Sequence, residues 1–247
     1  MRVALFVTCL VDQFYPQVGV STVRLLRRLG CHVDFPPHQT CCGQPAFNSG
    51  CRPESRHVAR AWLEAFADAD CIVTPSGSCG GMVHHGYDEL FQDQPAWRTR
   101  ARELARRTYE LSWFLVHVLK VVDLGARFPH RVTYHPGCHG TRLLGLRDEP
   151  LRLLRAVQGL DLVPLPRSED CCGFGGLFSV KLPDLSGAMV GEKTDHVLAT
   201  GAEFLVGTDM GCLMHIGGHL QHRGARVPTL HLAELLDRAG AGSGVRV

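Results

Sequence analysis

Thr40-Cys41-Cys42-Gly43 and Asp170-Cys171-Cys172-Gly173 are two copies of one phrase, an adjacent cysteine pair closed by glycine. Each copy occupies the same place in a longer pattern. Ahead of the first lies Arg2–Cys9 (RVALFVTC), an apolar run ending on cysteine; ahead of the second lies Arg131–Cys138 (RVTYHPGC). Behind them, CIVTPSGSC ends on Cys79 and FLVGTDMGC ends on Cys212. Between Cys9 and Cys41 there are 31 residues, and between Cys138 and Cys171 there are 32. The pairs are followed after 36 and 39 residues by Cys79 and Cys212. One such series could arise by chance in a cysteine-rich chain, but two in the same order mark a duplication.

The stretches between these landmarks alternate in character. Helical patterns are predicted over Gln17–Leu29 and Arg142–Val157, then short strands over His32–Phe35 and Leu160–Leu165. After each pair comes a helix, Pro53–Ala67 or Leu185–Ala199, and then the strand that leads to the last cysteine. Each half closes on a similar phrase, YELSWFL at Tyr109–Leu115 and LHLAELL at Leu230–Leu236. Strands that alternate with helices of a dozen residues imply βαβ units and a parallel sheet. The expected fold is therefore α/β, two tandem duplicated domains, each a parallel sheet flanked by helices. The boundary falls near Gly125–Pro129, giving residues 1–127 and 128–247, and the first half carries an extra helix over Trp97–Arg107. Sheets of this type bind ligands beyond the carboxyl ends of their strands, where Cys9, Cys79, Cys138 and Cys212 are expected.

With 45% hydrophobic and 20% charged residues among 247, the chain can bury a core and is not disordered. A formal net charge of +2 gives no reason to expect nucleic acid or an anionic membrane as a partner. The opening apolar run, Val3 to Val7, is far too short to span a bilayer or form a typical signal core, so a cytoplasmic location is expected. Eleven cysteines, an odd number, in a reducing compartment argue for metal or redox chemistry and against a disulfide framework.

Four cysteines per half match the ligand number of a [4Fe-4S] cluster or of tetrahedral zinc. Converging thiolates repel one another, and a bound cation offsets that repulsion. Adjacent cysteines can face one cofactor only where the chain curls tightly, and Gly43 and Gly173 permit the curl. The candidate ligands are thus Cys9, Cys41, Cys42 and Cys79 for one group, and Cys138, Cys171, Cys172 and Cys212 for the other.

The segments TCCGQPAFNSG, VTPSGSC, YHPGCHGTR, SEDCCGFGG and GTDMGC closely resemble the lactate utilization protein A family. Its wider group of cysteine-rich CCG-domain proteins includes components of glycolate oxidase (its iron–sulfur subunit) and of heterodisulfide reductase. The resemblance runs from Val3 to about Leu236. It implies an iron–sulfur component of a multi-protein complex that oxidises L-lactate to pyruvate, passing electrons rather than binding lactate. The implied partners are other lactate-utilization subunits, among them a ferredoxin-like iron–sulfur protein. Heterodisulfide reductase relatives end each half on C-x-x-C, whereas this chain has Met82 and His215 where the fifth cysteine would stand; by interval alone Cys212 also fits the second position of that motif, with Asp209 in the first, and the PSGSC/TDMGC context favours the former alignment. The departure favours a conventional cluster in each half, or zinc in one of them, over a disulfide-reducing centre. A thiol-disulfide reductase and a zinc-stabilised scaffold are the alternative readings.

Several further residues carry weaker signals. His135 and His139 bracket Cys138 and are placed to tune a cluster by hydrogen bonding, His139 more than His135. Arg142 is a candidate for balancing cluster charge. Cys31 and Cys71 border apolar strands and read as buried packing residues, while Cys51 has no counterpart in the second half. Arg98, Arg102 and Arg106 share a helix face that is either solvated or a dock for an acidic partner. His84 and His85 are adjacent and diverge on a helix, a poor metal pair. Gly173–Gly176 (GFGG) lacks the rest of a dinucleotide fingerprint.

Overall fold

The computed structural model describes residues 1–240. It contains two four-stranded sheets. The first comprises β1 (Arg2–Leu5), β2 (His32–Asp34), β3 (Ile72–Thr74) and β4 (Thr108–Glu110), in the order β2-β1-β3-β4. The second comprises β5 (Arg131–His135), β6 (Asp161–Val163), β7 (Phe204–Gly207) and β8 (Thr229–His231), in the order β6-β5-β7-β8. Every pairing between these strands is parallel, and helices flank both sheets, as the alternating pattern implied. The register repeats as well. Ala4 faces Ile72 and Thr133 faces Leu205, and each of these partners lies seven residues before the closing cysteine of its half.

This strand order creates a crevice. From β1 the chain crosses to β2 on one side and then returns past β1 to β3 on the other, so loops leave the carboxyl ends of β1 and β3 in opposite directions. The same holds between β5 and β7. As expected from the sequence, Cys9, Cys79, Cys138 and Cys212 lie at the carboxyl ends of strands, each just beyond its strand in the first turn of the helix that follows. Cys9 opens a helix (Cys9–Phe14) and Cys138 another (Cys138–Arg142), while Cys79 and Cys212 lie in the first turn of the helices Gly77–Gly81 and Met210–His222.

The helix expected over Arg142–Val157 is two helices, Cys138–Arg142 and Glu149–Arg155. Gly145 takes a left-handed φ of +69° between them, and Pro150 is the second residue of the second helix, within its first turn, where its missing N–H costs nothing. The extra helix of the first half is present at Pro95–Ala105. Its arginines are less free than an open docking face requires, because Arg98 and Arg102 both pair with Asp88, at 2.7 and 2.5 Å.

The halves share a core. A central apolar cluster joins Val3, Leu25 and Phe114 of the first half to Val132, Leu153 and Leu232 of the second. Helix Pro16–Arg28 packs on the C-terminal helix Leu232–Gly240, and with the halves exchanged Glu149–Arg155 packs on Leu111–Trp113. Nearer the crevice, helices Gly77–Gly81 and Cys138–Arg142 meet backbone to backbone. A Cβ on Gly77 would lie 2.9 Å from the Gly140 Cα, so only glycine fits.

Polar groups fix this junction. Asp209 precedes the helix Met210–His222 and caps it, its Oδ1 accepting from the Gly211 N–H at 3.0 Å. Its other oxygen crosses to the first half and accepts from the Ser78 N–H (2.8 Å) and the Ser76 hydroxyl (3.0 Å). Ser76 Oγ in turn accepts from the Cys79 N–H at 3.3 Å. One buried carboxylate thereby serves two helix N-termini. His231, fully buried, donates from Nε2 to the Pro75 carbonyl of the other half (3.0 Å) and accepts at Nδ1 from the Ala233 N–H (3.1 Å). Its counterpart in the first half is Glu110, whose carboxylate accepts from the Ser112 and Trp113 N–H groups and the Ser112 hydroxyl. Burial pushes the Glu110 carboxyl up to about 7, against these hydrogen bonds, which lower it.

Two outcomes are expected. Asp209→Ala strands three donors from both halves and lowers unfolding free energy by about 2–4 kcal/mol, read by urea titration; a loss below about 1 kcal/mol would show that water replaces the carboxylate. For Glu110 the folded value lies above the ordinary 4.5, so the unfolded chain releases this proton first and stability falls as pH rises from about 4.5 to about 7. Glu110→Gln removes that loss, gaining about 3 kcal/mol on the wild type across this window. Comparing the two proteins separates Glu110 from buried His135 and His231, whose lowered values act in the opposite sense. A pH-independent difference would refute the assignment.

Candidate metal centre

Each half brings its four predicted cysteines together. In the first, Cys41 and Cys42 precede Gly43, which adopts a left-handed φ of +82° and starts the helix Gln44–Asn48. That turn swings the Cys42 sulfur to 3.5 Å from the Cys79 sulfur, while the Cys41 sulfur accepts from the Gly43 N–H at 3.4 Å and meets Cys9. In the second, Gly173 has a φ of +85°, Cys171 accepts from its N–H at 3.4 Å, Cys138 meets Cys171, and Cys172 meets Cys212. A Cβ on Gly173 would fall 2.8 Å from the Met189 Cβ and 2.9 Å from the Ser186 carbonyl oxygen, so the turn has no room for a side chain.

Matching hydroxyls pin both turns. Ser55 donates to the Gly43 carbonyl (3.3 Å) and Ser186 to the Gly173 carbonyl (2.8 Å). Beyond that the halves diverge. Buried Tyr87 donates to the Cys42 carbonyl at 3.0 Å. In the second half buried Lys193 holds the approach to the pair, donating from Nζ to the carbonyls of Arg167 (2.8 Å) and Ser168 (3.3 Å).

Electrostatics show what these thiol groups need. Cys41 is pulled down to about 3 by hydrogen bonds from Cys42 and Cys9, with help from the backbone N–H groups of Gly43 and Cys42. Cys171 is lowered in the same way by Cys138, Cys172 and Gly173. The neighbours take the opposite shift: Cys9, Cys42, Cys138 and Cys172 are raised well above an ordinary thiol, first by hydrogen bonding to those same thiolates, next for Cys42 and Cys172 by hydrogen bonding to Cys79 and Cys212, and then by burial. One thiolate per group is favoured and further ionisation is opposed. A bound cation reverses that opposition, because its charge stabilises every thiolate around it. The donor set thus fits a thiolate-bound metal or iron–sulfur group in each half.

The eight cysteines line one cavity of about 250 Å³ at the junction of the halves. Ser76, Ser78 and Asp209 border it, so the cap that joins the halves also forms its wall. His139 reaches it too, its Nδ1 accepting from Gln44 Nε2 of the other half at 3.5 Å. Among the described residues, no lysine or arginine lines it.

The surroundings of the two groups differ. Position for position, Phe6 of the first half corresponds to His135 of the second, Trp62 to Lys193 and Met82 to His215. Phe6 and Trp62 pack edge to face at 5.4 Å, and Trp62 meets Tyr87 at 5.6 Å, an apolar wall behind the first group. Behind the second stands His135, 2% exposed, with neither ring nitrogen hydrogen-bonded to any described residue. Burial and nearby Lys193 lower its basicity to about 4, so it is neutral near pH 7.

The weaker sequence signals resolve unevenly. His135, rated below His139, is the histidine grouped with two of the thiols, one ring nitrogen and the sulfurs of Cys172 and Cys212 lying within 4.8 Å of one another. His215 does not extend the ligand set through Nε2, which is bonded to Ser186 Oγ at 3.2 Å, and Met82 is buried with its sulfur packed toward Gly86. Arg142 donates to the Glu169 carbonyl at 3.2 Å and favours the Cys138 thiolate, consistent with charge balance. Cys31 and Cys71 are buried in the central cluster, as expected, and Cys51 is exposed. His84 and His85 diverge, to the carbonyls of Thr108 and Leu143, both at 2.8 Å. Sequence reasoning missed the capping roles of Ser76 and Asp209, and it missed Ser186 and Lys193. The first two had a readable signal, a capping residue three positions before the closing cysteine of each half.

The cysteine-rich domain family CCG matches the chain twice, over residues 3–84 and 132–217. Lactate utilization protein A of Geobacillus kaustophilus (strain HTA426) is 54% identical over 237 residues, covering 96% of this chain and 99% of the relative. The protein of that name from Halalkalibacterium halodurans is 53% identical and covers 96% and 97%. Among solved structures, a hypothetical protein from Helicobacter pylori has a TM-score of 0.67 at 12% identity, covering 98% of this chain and 49% of that one. That likeness shows a shared fold, and the present chain spans about half the length of the Helicobacter protein. With a duplicated cysteine-rich domain and more than half its residues identical to these relatives over almost its full length, the chain belongs to the lactate utilization protein A family.

Proposed function

We propose that this chain is an iron–sulfur electron-transfer component of a multi-protein complex that oxidises L-lactate, a 2-hydroxy acid, to pyruvate. On this reading Cys9, Cys41, Cys42 and Cys79 hold one cluster, and Cys138, Cys171, Cys172 and Cys212 hold the other. Residues 1–127 and 128–247 are the two cluster-bearing domains. The observation that carries the proposal is the convergence of both four-cysteine groups on one cavity. Two redox groups facing one small space are close enough to exchange electrons with each other and with a partner docked at its mouth. Membership of the lactate utilization protein A family supports a role in lactate utilization.

The chain's own residues support relay over substrate chemistry. A lactate carboxylate calls for a cationic clamp, yet the described cavity lining has neither lysine nor arginine and includes Asp209. Bound clusters supply reversible one-electron chemistry at potentials set by their surroundings. The Gly43 and Gly173 N–H groups donate to Cys41 and Cys171, and such bonds to sulfur favour the more negative state. The Asp209–Ser76–Ser78 wall and the Phe6–Trp62–Tyr87 packing fix the ligand-bearing loops and exclude water. The absence of a thiol at Met82 and His215 weighs against a disulfide reductase. Zinc in the second half is the competing metal, because the His135–Cys172–Cys212 group mixes nitrogen with sulfur donors. The partner expected at the cavity mouth is a ferredoxin-like iron–sulfur protein of the same complex. No helix among the described residues is long and apolar enough to cross a membrane.

Anaerobic reconstitution followed by iron, sulfide and zinc quantification tests the proposal. Wild-type chain should be brown and hold iron and sulfide in both halves. Cys42→Ala and Cys172→Ala should each lose about half of the iron, since each removes one ligand of one group. Colourless wild-type protein without iron would sink the redox reading, and zinc confined to what Cys172→Ala releases would assign zinc to the second half.

A further inference from the structure

We propose that His135 ligates the metal group of the C-terminal half through an imidazole nitrogen, beside Cys172 and Cys212. The inference rests on the reading that this half holds a metal or cluster, and it adds a ligand that the cysteine pattern does not contain.

Three independent observations point to it. First, His135 is a buried polar side chain without a partner among the described residues. It is 2% exposed, yet neither Nδ1 nor Nε2 makes a hydrogen bond. A buried polar group left unpaired loses its hydration with nothing in return, so such groups are uncommon unless something satisfies them. The other buried histidine at the junction, His231, shows the usual arrangement, with both ring nitrogens engaged. Second, one ring nitrogen of His135 and the sulfurs of Cys172 and Cys212 lie within 4.8 Å of one another. Small adjustments bring donors at such spacing onto one metal, since bonds to nitrogen and sulfur run about 2.0–2.3 Å.

Third, the position is singled out by comparison within the chain. His135 ends β5, and its register partner is Gly207, the last residue of β7. The corresponding residue of the first half is Phe6, which packs on Trp62 and Phe66 and offers no donor. Duplication therefore provides an internal control: the same site on the same scaffold, once with a benzene ring and once with an imidazole. Replacing apolar packing by an unpaired imidazole destabilises the bare fold, and ligation restores the balance.

The consequence is two chemically distinct centres. The first is an all-thiolate site, while the second has a neutral nitrogen donor and Lys193 close by. Both halves keep four thiolates, and the Lys193 cation near Cys171 and Cys172 favours the more negative, reduced state of the second centre, which raises its reduction potential. Electrons would then collect on the C-terminal half, giving the shared cavity a direction.

Pulsed EPR of the reduced, anaerobically reconstituted full chain tests the assignment. Wild type should show a coupling from a directly bound nitrogen that changes isotope signature when histidine is labelled with nitrogen-15. His135→Phe, which copies the first half, should lose the coupling while keeping iron and sulfide in the first half, and the midpoint potential of the second centre should shift. Should this variant fold poorly, His139→Gln serves instead: it removes the histidine that lines the cavity and must leave the coupling intact. If zinc fills the site, zinc-edge X-ray absorption should show an imidazole shell in wild type. Metal bound with no histidine nitrogen, or a coupling that survives His135→Phe, overturns the inference while leaving the proposed function standing. A wild-type chain that takes up neither iron nor zinc overturns both.

Discussion

Thiols packed within contact distance of one another cannot all give up their protons in an apolar setting, and this repulsion organises the molecule. Cys41 and Cys171 ionise readily only because their neighbours stay protonated and donate to them. The arrangement is therefore unstable toward binding a cation, which converts mutual opposition into shared attraction. Everything nearby serves to hold the sulfurs in that frustrated proximity. The strand order opens a crevice, glycine turns with positive φ bend each cysteine pair inward, and Ser55 and Ser186 hold the turns closed.

The two halves solve the same local problem with different walls. Around the first group the solution is aromatic: Phe6, Trp62, Phe66 and Tyr87 interlock at ring spacings of 4.7–5.6 Å. Around the second, Lys193 and His135 occupy equivalent positions, and the amine is retained in a buried place by two carbonyl acceptors. A buried cation next to an anionic group is tolerable because each offsets the desolvation of the other. Divergence after duplication has thus gone furthest in the lining of the sites, while turn, cap and strand geometry stayed alike.

Much of this was legible in the sequence because it depends on local spacing. The cysteine series, the glycine after each pair and the alternation of apolar strands with helices all report short-range requirements, and the two parallel sheets follow from them. What escaped the sequence is long-range. Nothing near Cys138 announces that Gly140 must touch Gly77, or that both cysteine groups open on one cavity. The helix expected over Arg142–Val157 failed because its apolar periodicity outweighed Gly145 and Pro150, which divide it. His135 was ranked below His139 because both sit beside Cys138, and only strand pleating, which turns His135 inward, separates them.

The shared cap bears on how such a protein can evolve and be assembled. At matching positions one half presents Ser76 and the other Asp209, and the serine hydroxyl donates to the carboxylate. Two first halves would meet as serine against serine, with no charge for the facing helix ends. Two second halves would set carboxylate against carboxylate in a buried seam, a like-charge repulsion that opposes pairing. The seam therefore selects the unlike combination. A gene split between the halves should yield fragments that prefer each other to copies of themselves, so covalent continuity is a convenience that the interface itself could replace.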